Sequence, residues 1–291
     1  MAIKKRVLSI ATQQLLREVL QTATIAALMD SRRWEPGDIA FQGGTSLHLA
    51  HGCARFSEDL YFMVRGSLAL AGLSKAVQKN LRLPPDIPAD LSVTVTPSKD
   101  ERNPHMCYVT LSGPQVVGSA KVKVELWQAE AAALKSLQLK VSTVKSPAGQ
   151  AFVPTLTLDE ILADKVYALG ARARIKPRDI FDLTWLGGKG LQPLAVSALR
   201  TRLAIYPAPS GLAFDTANAW LASAEQRLQD LQAADAAKDV ASDLQRWLPS
   251  SWPMTESIAT HMLANAITQL QLGMRLMRSI VQTLGTTAAK P

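Results

Sequence analysis

Gly43-Gly44-Thr45-Ser46-Leu47-His48-Leu49-Ala50-His51-Gly52, followed after two residues by Arg55-Phe56-Ser57-Glu58-Asp59-Leu60-Tyr61-Phe62, is the stretch on which the fold turns. Ile39 to Gln42 reads as a short strand running into the glycine pair, and Leu47 to Ala50 reads as the start of a helix. A glycine turn opening a helix lets backbone N–H groups and small hydroxyls approach phosphate oxygens, because no Cβ intervenes and the helix N-terminus is electropositive. The same glycines serve equally well to turn the chain between strand and helix, so the turn alone decides nothing. Downstream, Leu60, Phe62 and Val64 alternate with Asp59, Tyr61 and Met63, the period of a strand over Arg55 to Val64 with unlike faces. Asp59 and Tyr61 share one of those faces.

Outward from this stretch, Ser9 to Met29 carries apolar residues at helical spacing until Trp34-Glu35-Pro36-Gly37 breaks it. Ser67 to Leu81 reads as helix, and Leu91 to Thr96, Met106 to Leu111 and Val117 to Trp127 read as strands. From Thr157 onward the texture changes: Thr157 and Glu160 match a capping box, and Asp215 to Ala234, Ala236 to Trp247 and Ser257 to Leu284 are helix-forming. A seam of Leu263, Ile267, Leu270, Met274, Met277, Val281 and Leu284 in steps of four and three fits packing within a helical bundle better than an intermolecular coiled coil. The expected architecture is α+β, with an N-terminal mixed sheet and flanking helices over residues 1–150 and a helical C-terminal domain over 151–291. The boundary is expected near Ser146 to Pro154.

Magnesium-dependent phosphoryl transfer needs carboxylates converging on the ion. Asp59 supplies one, and Glu125, in Lys121-Val122-Lys123-Val124-Glu125-Leu126, alternates so as to offer another from a second strand. There is no Gly-x-Ser-x-Gly elbow, Walker sequence or Gly-x-Gly-x-x-Gly, which removes the hydrolase, P-loop and Rossmann readings. His48 and His51 lie three apart on one helical face, but no third histidine or cysteine is placed to complete a metal set. The tryptophans Trp127, Trp185, Trp220, Trp247 and Trp252 read as packing anchors rather than base-stacking platforms.

Taken together, the Gly-Gly-Thr-Ser turn, the Arg-Phe-Ser-x-Asp-Leu-x-Phe strand, the acidic strand at Glu125, Leu162-Ala163-Asp164-Lys165-Val166-Tyr167-Ala168-Leu169 and Arg178-Asp179-Ile180-Phe181-Asp182-Leu183 resemble the AbiEii-type nucleotidyltransferase toxins, within the DNA polymerase beta-like nucleotidyltransferase superfamily. The resemblance runs in family order from Gly43 to Leu183. It implies a nucleotidyltransferase-like N-terminal fold, a helical domain closing the cleft, and transfer of a nucleoside monophosphate from an NTP with Mg2+. It also implies a cognate antitoxin, a role against growth or phage infection, and an RNA acceptor, in some relatives the 3′ end of tRNA. By residue, it implies that Gly43, Gly44, Thr45, Ser46, Arg55 and Ser57 bind nucleotide, that Asp59 and Glu125 hold metal, and that Lys165 neutralises a phosphate. Asp179 and Asp182 either line the same site or fix Lys165 and Arg178 by ion pairing. Arg172, Arg174, Lys176 and Arg178 form a basic cluster suited to an RNA backbone.

One position departs from the pattern. Where the family has its second aspartate this chain has Tyr61. A neutral phenol is a poor magnesium ligand, and its ring takes up the volume of a hydrated ion. Natural loss of activity, a rearranged site using Glu58 or Glu125, and an inactivating substitution introduced during cloning of a toxic gene all account for it. Glu58 is the weakest rescue because it faces away from Asp59 on a regular strand. We favour the inactivating substitution, since one base change converts Asp to Tyr and the rest of the motif is intact; the genomic codon distinguishes it from a native Tyr61. The competing reading is a catalytically dead nucleotide- or RNA-binding protein acting through partner binding. A third is an antibiotic-modifying nucleotidyltransferase, which needs an acidic acceptor pocket.

Composition agrees with these readings. The 291 residues carry a formal charge of +8 and a pI near 9.6, which favours a polyanionic partner. Cys53 and Cys107 have no metal or disulfide spacing and read as packing residues in a reducing compartment. Polar Thr12, Gln13, Gln14 and Arg17 interrupt any secretory apolar run, and no stretch reaches the ~18 apolar residues of a membrane helix, so a cytoplasmic setting without membrane contact is expected.

Overall fold

The computed structural model describes residues 5–100, 102–146 and 149–288. Met1 to Lys4 at the chain start, and Pro147 and Ala148 in the expected boundary region, lie outside the described residues. The chain divides into two compact units, one formed by 1–52, 57–134 and 139–155, the other by 53–56, 135–138 and 156–291.

In the first unit, β1 (Arg6–Val7) leads into α1 (Ile10–Met29), whose N-cap Ser9 accepts a hydrogen bond from the Thr12 N–H. Then come β2 (Ile39–Gln42), α2 (Gly43–His51), β3 (Leu60–Arg65), α3 (Leu73–Asn80), β4 (Ser92–Pro97), β5 (His105–Ser112), β6 (Val116–Val117), β7 (Ala120–Ala129), α4 (Ala131–Lys135), β8 (Leu139–Ser146) and β9 (Gly149–Leu156). Among the described residues, seven strands form one mixed sheet in the order β4-β5-β7-β3-β2-β9-β8. Strands β3 and β7 run parallel at its centre, pairing Tyr61 with Glu125. Antiparallel β2 and β3 place Phe41 opposite Phe62, and their rings stack with centroids 4.9 Å apart. Leu20 and Ile25 of α1 bury against the sheet residues Phe41, Phe62, Val109, Val122 and Val153.

Several elements differ from expectation. The helix begins at Gly43 rather than Leu47, and Gly43 itself takes φ +81 where β2 gives way to it, a backbone conformation that favours glycine. The strand expected from Arg55 starts only at Leu60, because residues 53–56 belong to the other unit. The expected strand from Val117 is split: Val116–Val117 pairs with β1, Gly118 takes φ +99, and the sheet strand starts at Ala120. The helix expected from Ser67 is confined to Leu73–Asn80. Strands β8 and β9, which the sequence reading did not anticipate, complete one edge of the sheet.

The second unit holds α5 (Leu158–Ala171), α6 (Pro177–Gly187), α7 (Val196–Ile205), α8 (Ala213–Leu231), α9 (Ala236–Leu244), a 3-10 turn (Gln245–Trp247) and α10 (Glu256–Ala288). Trp220 of α8 is buried, donates its indole N–H to the Tyr167 carbonyl (2.8 Å) and stacks on the Tyr167 ring. Leu263, Leu270, Met274 and Met277 of the α10 seam are buried within this unit. The capping box does not form: Thr157 makes no side-chain cap bond, and Glu160 instead pairs with the buried Arg202 and accepts from the Gln138 N–H. The mixed α+β class expected from the sequence is the one observed.

Candidate active site

In the first unit the site is built on the parallel β3–β7 pair and the start of α2. Asp59 immediately precedes β3, Tyr61 follows two residues later, and Glu125 lies beside Tyr61 in register. The Tyr61 hydroxyl donates to Asp59 Oδ2 at 3.2 Å. Its ring lies against the glycine turn, so a Cβ built on Gly43 would come within 3.1 Å of Tyr61 Cδ2. Burial pushes the Tyr61 phenol up to about 12, with the negative charges of Asp59 and Glu125 adding to the effect. Tyr61 therefore stays a neutral donor, and its ring occupies the space between the glycine turn and the acid pair.

Lys123 is a site residue that the sequence reading missed. Its ammonium pairs directly with Glu125 and lies 3.5 Å from Asp59 Oδ2. Burial opposes its charge, but Glu125 and Asp59 outweigh that and hold its pKa above the ordinary lysine value. The signal was present in the alternation of β7: Lys123 and Glu125 are half-buried on one face, while Val122, Val124 and Leu126 are buried on the other.

The hydroxyls expected on phosphate are committed elsewhere. Thr45 and Ser46 are both fully buried; Thr45 donates to the Asp59 carbonyl, and Ser46 Oγ donates to the Gly43 carbonyl at 2.8 Å. They shape the turn and tie it to the acidic segment instead of presenting free hydroxyls. The Ser57 carbonyl accepts from the Gln21 side chain of α1 at 2.8 Å, which fixes the approach to Asp59. His48 reaches Glu18 at 3.8 Å. Among the described residues no group of three or more His, Cys, Asp or Glu is arranged to hold a metal ion.

The second unit carries a buried ionic cluster. Arg55, expected at the nucleotide, is only 2% exposed: its guanidinium grips Asp182 in a two-pronged contact (both bonds 2.8 Å) and donates to the Phe56 carbonyl. Lys165 bridges Asp179 (2.8 Å) and Asp182 (2.6 Å), and Arg172 closes onto Asp179. Burial opposes the Asp182 charge, yet Lys165 and Arg55 outweigh it and hold the carboxyl below the usual range. Arg178 does not join this cluster; its guanidinium lies 4.0 Å over the Trp247 ring. Of the four basic residues expected at RNA, Arg174 and Lys176 are exposed, Arg172 pairs with Asp179, and Arg178 lies over the Trp247 ring. Buried Cys53 and Cys107 have thiols pushed up by burial to about 11, which makes them poor nucleophiles.

A family model described as "Nucleotidyl transferase AbiEii toxin, Type IV TA system" matches residues 27–256. The chain belongs to that family. It is therefore a toxin-type nucleotidyltransferase by descent, and family membership implies an NTP substrate and an antitoxin partner. Two solved structures share the fold. One is an H. pylori protein solved as a candidate nucleotidyltransferase, at 18% identity and TM-score 0.51, covering 92% of this chain and 97% of that one. The other is MenT4, a nucleotidyltransferase toxin of Mycobacterium tuberculosis H37Rv, at 16% identity and TM-score 0.53, covering 90% of this chain and 85% of that one. No curated protein matches. Among the described residues, no helix of this AbiEii-family chain is long and apolar enough to cross a membrane.

Proposed function

We propose that this chain is the toxin of a toxin/antitoxin pair whose reaction is transfer of a nucleoside monophosphate from an NTP to an RNA acceptor, with tRNA the preferred class, and that Tyr61 holds the chain inactive as it stands. The observation that carries this reading is the convergence of the Gly43 turn, Asp59 and Glu125 on neighbouring elements of one sheet, with an aromatic ring at the one position where the motif calls for a third carboxylate. The backbone of the turn is suited to phosphate. Lys165, on the resemblance of its helix, is the cation for a phosphate oxygen, and Asp179 and Asp182 position it. Arg55 acts through Asp182 as a positioning residue. Exposed Arg174 and Lys176 are the basic surface for an RNA backbone. A cytoplasmic setting and a role in phage defence belong to the same reading.

Magnesium does not fit the residues as they stand. Two carboxylates remain where the motif has three, a neutral phenol fills the third place, and an ammonium is already paired with both acids. Restoring the acid with Tyr61→Asp, then incubating the protein with Mg2+, each labelled NTP and either total tRNA or aminoglycosides, tests the reading. Label in tRNA is expected; label in aminoglycosides, or in neither, would overturn it. A second reading, partner binding by a catalytically dead protein with a native Tyr61, is favoured by how well the ring is seated, packed on Gly43 and bonded to Asp59. It predicts that Tyr61→Asp gains nothing.

A further inference from the structure

Lys123 lies two residues before Glu125 on β7, on the face that carries Glu125 and beside the neighbouring strand that Asp59 leads into. Two carboxylates that reach one ammonium repel each other, and a cation between them offsets that repulsion. The cation present is the Lys123 ammonium, which pairs with both. With Tyr61 neutral, two acids against one ammonium leave a single net negative charge, too little to draw in a divalent ion whose approach the ammonium itself opposes. We infer that Lys123 is the built-in cation of this acid pair, standing in place of a divalent ion, so that Asp59 and Glu125 stay together without metal. The inference rests on the proposed location of the nucleotide site, but not on the chain's catalysing transfer. The ordinary alternative is an incidental lysine–glutamate pair at a half-exposed strand face, which would contribute little and leave metal affinity unchanged.

Mn2+ binding to the full chain, followed by the EPR signal of the free ion, separates the two. The wild-type chain is expected to show no Mn2+ site that Asp59→Asn removes. Lys123→Met, which keeps the length of the side chain and removes its charge, is expected to bind Mn2+ at least about tenfold more tightly than any binding the wild type shows, and Asp59→Asn in that background to abolish the gain. Lys123→Arg, which keeps the charge, is expected to behave as wild type. In the chelator EDTA, Lys123→Met should melt below wild type and recover when Mn2+ is added, whereas wild type should melt at the same temperature in either condition. A wild-type Mn2+ site lost on Asp59→Asn overturns the inference by itself and needs no lysine variant to fold. A folded Lys123→Met protein whose affinity rises less than tenfold overturns it equally. Failure of Tyr61→Asp to transfer nucleotide would sink the functional reading and leave the Mn2+ result standing.

Discussion

At position 182 a single carboxylate satisfies two buried cations. Asp182 is fully buried between Arg55 and Lys165, so Asp182→Ala leaves both cations short of a partner in a dry environment. A loss of about 3–5 kcal/mol at pH 7, read from urea unfolding, is expected. Because the folded carboxyl titrates below the unfolded one, its contribution is complete above the ordinary carboxylate value and is lost as pH falls through the folded value. The stability gap between wild type and Asp182→Ala should therefore narrow as the pH is lowered from about 4. At Gly43 two costs are separable. Gly43→Ala meets a left-handed φ of +81 and a Tyr61 ring atom at 3.1 Å, and should lose about 1–2 kcal/mol. In a Tyr61→Asp background the ring contact is gone and only the backbone part should remain, so a double-mutant cycle that shows no coupling would contradict the described seating of Tyr61.

Among elements, the helical unit depends on close approach around one side chain. A Cβ on Gly170 of α5 would fall 2.4 Å from Trp220 Cζ2, and one on Gly273 of α10 would fall 2.7 Å from a Val166 methyl and 3.4 Å from the same indole. Trp220 is buried and bonded to the Tyr167 carbonyl, so it cannot swing clear. Gly170→Ala should overpack this contact and cost about 1–3 kcal/mol, visible as a lowered melting temperature. The same scale shows what the sequence made legible. Helix α1, strand β2 and the α8, α9 and α10 segments follow from unbroken apolar periodicity with clear breaks. Strands β8 and β9 do not, because exposed Val141 and Phe152 blur the alternation and Pro154 reads as a linker. The nearness of the glycine turn to Asp59 was legible; the inward commitment of Thr45, Ser46 and Arg55 was not, since a hydroxyl or guanidinium suited to phosphate is equally suited to a buried carbonyl or carboxylate. Lys123 is hard to recognise from sequence because a lysine two residues from a strand acid is equally at home as a solvated charge on that face.

Across the whole molecule, the charge of +8 gives the proposed RNA acceptor a sequence-independent attraction that salt should weaken. Replacing exposed Arg174 and Lys176 by alanine should lower tRNA affinity and reduce the slope of log K against log salt by about one per residue. Unchanged slopes would move the RNA surface elsewhere. Family membership fixes the lineage of this protein, while in the proposed reading the ring at position 61 decides whether the present chain transfers nucleotide. The direct test is incorporation of labelled NTP into total tRNA with Mg2+, comparing the chain as it stands with Tyr61→Asp. Background incorporation by the first and clear incorporation by the second is the predicted result; equal incorporation by both, or none by either, would contradict it.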